Sequence, residues 1–171
     1  MKKPFGLIIS SVALFTILII TGCSSIVRIG SIVPPYPVNT NAIGGSCIGV
    51  SENYSPCGFA IGILENEKSE PIGILSEKMA DPRETKNHHW IVLDFIALPS
   101  SDKKTHLEFS TCSINGQSDE TIVAIVPNYD ESSPEHIKAR GWAYRIGLPS
   151  GKFISIDPAI VSCINTAIGA D

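Results

Sequence analysis

Asp94, Glu108 and His106 are the side chains whose types and predicted spacing could do chemistry. They fall on two runs, 89–98 and 104–113, in which apolar residues alternate. Ile91, Leu93, Phe95 and Ala97 mark one face of the first run, and Thr105, Leu107, Phe109 and Thr111 mark one face of the second. Alternation of this kind is the pattern of a half-buried strand, and Pro99-Ser100-Ser101-Asp102 between the runs is a turn signal. Pairing Leu98 with Lys104 puts both sets on one face, and a slip of one residue destroys the match. That register places Asp94 opposite Glu108, Ile96 opposite His106 and Trp90 opposite Cys112. Directly opposed side chains have Cβ atoms about 5 Å apart, so two carboxylates there repel unless a cation or a shared proton intervenes. A carboxyl pair beside an imidazole is the set that acid–base hydrolysis of a glycoside employs. The competing expectation, and the preferred one, is a solvated strand face on which His106 or Lys104 supplies the counter-charge, because ion clusters commonly serve structure alone.

Other chemistries have less support. The chain contains neither Gly-x-Ser-x-Gly nor His-Glu-x-x-His. His88 and His89 are adjacent and so point to opposite faces of a strand, and in the register above His106 lies roughly 18 Å away along the ladder. Asp130, Glu131 and Glu135 match no calcium-loop spacing and read as a solvated acidic loop. Gly44-Gly45 lacks the context of a phosphate loop and reads as a turn. No metal and no non-covalent cofactor is expected.

The elements that must carry these residues are mostly short strands, expected near 47–50, 58–64, 71–76, 89–98, 104–113, 120–127, 141–148 and 152–156. Asn66 to Pro71, Asn115-Gly116 and Pro149-Ser150-Gly151 are turn signals between them. Ile61-Gly62-Ile63-Leu64 recurs as Ile72-Gly73-Ile74-Leu75, which suggests two arms of a hairpin, with the glycines marking a bulge or a close backbone approach. Helix is expected at most twice. Ser133 to Arg140 offers a short one. Asp157-Pro158 offers a carboxylate cap followed by proline, ahead of Ile160, Cys163, Ile164, Ala167 and Ile168 at helical spacing. The predicted fold is mainly β, a sandwich or twisted antiparallel sheet with a short C-terminal helix packed on it.

The chain opens with Lys2 and Lys3, continues through the uncharged apolar run 5–20, and closes that run with Ile20-Thr21-Gly22-Cys23. A basic start, an apolar core and small residues before a cut are the marks of an export signal. The four closing residues resemble the lipobox of bacterial lipoproteins. That resemblance implies cleavage before Cys23, diacylglyceryl transfer to its thiol and acylation of the new amine. Multiple acyl chains anchor stably, at about 0.8 kcal/mol per buried methylene. The alternative is an uncleaved spanning helix, but 5–22 gives only about 27 Å of helix against a hydrocarbon core of about 30 Å. Ser24 stands where an Asp resembles an inner-membrane retention signal, which by the same resemblance points to the outer membrane.

These features divide the chain into a signal peptide (1–22), a lipidated Cys23 with an extended tether (23–46), and one β-rich domain (47–171). The tether expectation rests on Pro34-Pro35-Tyr36-Pro37, although Ile26, Val27, Ile29, Ile32 and Val33 are apolar enough to pack as a first strand. Removing 1–22 takes away only Lys2 and Lys3 of the charged residues, leaving 11 basic against 17 acidic, which argues against a nucleic-acid partner. Cys47, Cys57, Cys112 and Cys163 remain, an even number in an exported domain, and read as disulfides. Three pairings are possible; Cys47–Cys57 with Cys112–Cys163 is favoured, worth about 3 and about 4 kcal/mol on loop entropy. Their spacing is wrong for zinc. The functional expectation is a membrane-anchored, non-enzymatic binding or assembly module with an envelope protein partner; the alternative is a glycan hydrolase of the cell envelope using Asp94 and Glu108.

Overall fold

The computed structural model describes residues 27–48, 57–81, 88–100 and 102–168; the expected signal helix and Cys23 lie outside the described residues. The strands, in chain order, are β1 (Ile32–Val33), β2 (Thr40–Ile48), β3 (Phe59–Asn66), β4 (Pro71–Met79), β5 (Trp90–Ala97), β6 (Thr105–Phe109), β7 (Cys112–Ile114), β8 (Gln117–Ser118), β9 (Ile122–Pro127), β10 (His136–Lys138), β11 (Ala143–Gly147), β12 (Lys152–Ser155) and β13 (Val161–Ile164). They form three sheets, ordered β1-β5-β4-β3-β2, β12-β11-β9-β6 and β10-β13-β7-β8. Every pairing in them is antiparallel.

The second sheet is the middle layer. Its Val123 and Ile146 pack with Ile48, Phe59, Ile61 and Ile74 of the first sheet. From its other face, Ile122, Ala124, Val126 and Ala143 pack with Cys112, Ile137, Val161 and Cys163 of the third. The unbroken apolar run Ile122–Val126 therefore reflects a strand buried on both sides rather than the alternation of a half-solvated one. A third cluster, Val33, Leu64, Leu75 and Val92, lies on the first sheet's outer face, with Tyr36, Trp90 and Phe95 packed against it.

The repeated Ile-Gly-Ile-Leu segments are the paired arms β3 and β4, with Gly62 opposite Leu75 and Ile63 opposite Ile74. Asn66 closes the loop between them by accepting from the backbone N–H of Lys68 (2.8 Å) and Glu70 (3.1 Å). Gly73 is a close approach: a Cβ there would stand 2.2 Å from the Phe95 ring. Asn115 and Gly116, at φ 51° and 83°, form the two-residue turn between β7 and β8, the left-handed pair such hairpins need. Cys47 is bonded to Cys57, and Cys112 to Cys163.

Four expectations are overturned. The hairpin 89–98/104–113 does not form: β5 pairs with β4 and β1, and β6 pairs with β9. The second run also breaks in two at Ser110, whose φ of 66° ends the extended backbone and turns the chain from the middle sheet to the third. No C-terminal helix follows Asp157. Its carboxylate does cap Ala159 N (2.9 Å), but Pro158–Ile160 makes a single 3₁₀ turn and β13 follows. Two partners claim that strand, since β13 lies between β10 and β7 with Cys163 directly opposite Cys112. Ser133 to Arg140 holds a turn and then β10 rather than a helix. Finally, much of the expected tether is structured. Val33 is 2% exposed in the outer-face cluster, and Thr40–Ile48 is an edge strand, in which Gly44-Gly45 follows a bulge at Ile43 instead of forming a turn. Among the described residues, no helix is long and apolar enough to cross a membrane.

Candidate functional site

Asp94 and Glu108 are not opposed. Across the ladders Asp94 faces Ser76, and Glu108 faces Ala124. Each carboxylate is engaged in joining parts of the fold. Asp94 accepts from the backbone N–H of Phe153 at 2.9 Å, with Lys152 Nζ at 3.6 Å, so it closes the open edge of β12 onto the first sheet. Lys152 Nζ also donates to the Leu93 carbonyl at 2.9 Å. Glu108 accepts from Thr111 Oγ1 (3.1 Å) and from the Tyr129 hydroxyl, and pairs with His106 Nε2 at 3.1 Å. His106 Nδ1 faces Asn128 Oδ1 at 3.1 Å, while Asn128 Nδ2 donates to the Lys103 carbonyl. Tyr129 reaches on to Thr166 Oγ1 at 3.0 Å, and its pKa is raised, by burial first and then by the bond to Glu108. Sequence spacing thus brought His106 and Glu108 together correctly, two apart on one strand face. It placed Asp94 beside them wrongly, and it missed Tyr129.

The remaining sequence candidates sit apart from one another. Trp90 faces Met79 and Val33 rather than Cys112. Asp130 is a turn residue: its carboxylate accepts from Ser132 Oγ (2.6 Å), Ser132 N (2.9 Å) and Ser133 Oγ (3.1 Å), bonds that hold its pKa below the usual carboxylate range. Glu131 and Glu135 are exposed beside it. Among the described residues, no group of three or more His, Cys, Asp or Glu side chains could hold a metal ion.

Glu77 was not anticipated, and it has the most unusual surroundings. It is 3% exposed, and its Oε1 has no hydrogen-bond partner among the described residues. Strand alternation puts it two residues after Leu75 on the same face of β4, and a bulge in β5 sets what it faces. Ser76 pairs with Asp94 but Glu77 pairs with Val92, so Leu93 is an extra residue on β5. Glu77 consequently shares the outer face of the sheet with Leu75 and Val92. Burial pushes its pKa up from 4.5 to about 7. Ser76 Oγ, one residue earlier, is also buried without a partner among the described residues.

Glu77 lines a cleft of about 250 Å³ together with Tyr36, Trp90, Gly45, Gly62 and the Cys47–Cys57 disulfide. The segment after β1 brings Tyr36 onto this face, and the Tyr36 pKa is pushed up to about 12 by burial and then by the Glu77 charge. Gly62 keeps the carboxyl's place open, since a Cβ there would meet Glu77 Oε2 at 3.0 Å. No family model, curated protein or solved structure matches this chain. The site therefore has to be read from its own chemistry. A sequence signal for it did exist: Leu75, Glu77 and Met79 alternate on one strand face, with an acid between two apolar residues. Ending the expected strand at 76 concealed it.

Proposed function

We propose that this chain is a membrane-anchored lipoprotein of the bacterial envelope, held through Cys23 at the outer membrane, and that it works by binding rather than by catalysis. The anchor is supported by Lys2 and Lys3, the apolar run and Ile20-Thr21-Gly22-Cys23, and the export reading by the two bonded cysteine pairs. One observation carries the binding reading: Glu77 is a buried carboxyl at a cleft whose Oε1 has no hydrogen-bond partner among the described residues, whereas Asp94 and Glu108 each have partners within the fold. A glycan hydrolase built on Asp94 and Glu108 needs the two acids facing one bond, and the strand pairings place them opposite Ser76 and Ala124.

The test is a crosslinked pull-down of the full-length lipidated chain from detergent-solubilised membranes, beside Cys23→Ser. The expected result is a stoichiometric protein partner recovered only with the lipidated form. Equal recovery from the unlipidated variant, or turnover of envelope glycan that Asp94→Asn abolishes in a folded protein, would overturn the reading.

A further inference from the structure

Glu77 is hard to explain as packing. A strand position between Leu75 and Met79, on a face shared with Val33, Leu64 and Val92, would be filled at lower cost by an aliphatic side chain. Instead it holds an acid whose Oε1 has no partner among the described residues, and the structure leaves room in front of that acid. Gly62 and Gly45 present bare backbone to the cleft, and Tyr36 and Trp90 line it. A buried acceptor without a donor, beside aromatic rings, is half of a recognition site whose other half carries both N–H groups and positive charge.

We propose that this cleft takes a primary ammonium group on a short aliphatic chain, which donates to Glu77 and rests its charge against the rings of Tyr36 and Trp90. The proposal deepens the binding-module reading by naming the chemistry its site would recognise. Other occupants fit less well. An anion would meet the Glu77 carboxylate. A metal ion needs several oxygen or nitrogen donors, and no such group stands among the described residues. A quaternary ammonium has no N–H to give Oε1. A cleft of about 250 Å³ is small for a drug-sized molecule but admits a chain of a few carbons, whether that of a free amine or of a lysine side chain.

The site also has a pH dependence. Among the described residues lining the cleft, Tyr36 is the titratable group facing Glu77, and at about 12 it stays neutral at any physiological pH. Across the cleft, β2, β3 and β5 contribute Gly45, Ser46, Ala60, Gly62 and Trp90, none of them charged. Ionisation of Glu77 near pH 7 is therefore what charges the site, and a cation binds better above that pH than below it.

The experiment is an NMR titration of the full-length, isotope-labelled chain in detergent micelles with butylammonium chloride. It is read at the Gly45 and Gly62 amides and the Trp90 indole, with butanol as the uncharged control. The expected result is saturable shifts at those three groups, with affinity higher by about thirtyfold at about pH 8 than at about pH 5.5. Glu77→Gln, which keeps the shape and removes the charge, should abolish saturation at both values, whereas Tyr36→Phe, which keeps the ring, should retain it. Butanol saturating as well as butylammonium, or Glu77→Gln binding as well as wild type, would overturn the ammonium site. The pull-down separates the two readings. A partner captured equally by wild type and Glu77→Gln, with no butylammonium binding, removes the ammonium site and keeps the binding module. Butylammonium binding with no partner does the reverse.

Discussion

Glu108 and Glu77 are carboxylates on neighbouring layers of the molecule, 13% and 3% exposed, and they are provisioned in opposite ways. Glu108 has Thr111, Tyr129 and His106 around it, drawn from its own strand, the turn after it and the loop after β9. Glu77 is the more deeply buried of the two, yet its Oε1 has no partner among the described residues and its pKa is raised by burial to about 7. A buried polar group normally costs stability unless its hydrogen bonds are made inside the protein. Glu108 follows that rule and has a sufficient structural explanation. Glu77 breaks it, and a group that breaks it at the wall of a cleft is where a ligand has something to complete.

The largest effect that would test this contrast is pH-dependent stability. Glu77 has its folded pKa raised from 4.5 to about 7, so the native state holds the proton more tightly than the unfolded chain does. Stability from this group is fully present below pH 4.5 and is lost as the pH rises through about 7. At 1.36 kcal/mol per unit, the loss is about 3 kcal/mol. Urea melts of wild type and Glu77→Gln across that window should show the variant lacking this slope and the more stable of the two at about pH 8. A variant that is less stable at both ends would mean that Glu77 has a bond inside the fold after all.

Next comes the satisfied acid. Glu108→Ala strips the acceptor from Tyr129, Thr111 and His106 and should cost about 2 kcal/mol in the same melts. Asp94→Ala leaves the Phe153 N–H without its acceptor and should cost about 1.5 kcal/mol. Hydrogen exchange should speed up at Phe153 while leaving β9 protected. The smallest effect expected is that of Tyr129→Phe, about 1 kcal/mol, seen as faster exchange around Thr166, to which the hydroxyl reaches. If Tyr129→Phe proved as damaging as Glu108→Ala, the phenol rather than the carboxylate would be the centre of that network.

Much of the strand content was legible, because proline, glycine and asparagine at 66–71, 115–116 and 149–151 punctuate runs of β-branched residues. The cysteine pairing was legible for a similar reason, since the short stretch between Cys47 and Cys57 is rich in Gly, Ser, Pro and Asn. Partnership between strands was not legible. Pro99 to Asp102 has the composition of a hairpin turn, yet the chain uses it to cross from the first sheet to the middle one, and nothing local distinguishes the two uses. The carboxylate pair was lost with that register. Leu93 hid a second fact, because an inserted residue reverses which side chains share a face, and alternation counted through it assigns Phe95 to the wrong one. At the other end, Asp157-Pro158 is a true capping signal that starts only one turn, since pairing on both sides outweighs helical periodicity for Val161–Ile164.

The position of β13 has a consequence for assembly. The first sheet draws all its strands from residues 32–97, so it closes from a continuous stretch of chain. The other two sheets are interlaced: after β6 the chain passes back and forth between them, and β13, the last of these strands to be made, sits between β10 and β7 as the keystone of the third. Until Val161–Ile164 emerges, that sheet is two unconnected pieces, and the apolar β9 has only one of its two covers. A nascent chain can therefore pair its first sheet early, with the inner face of that sheet still waiting for the middle one, while its second half stays open. Its most exposed moment for aggregation comes just before its final strand arrives.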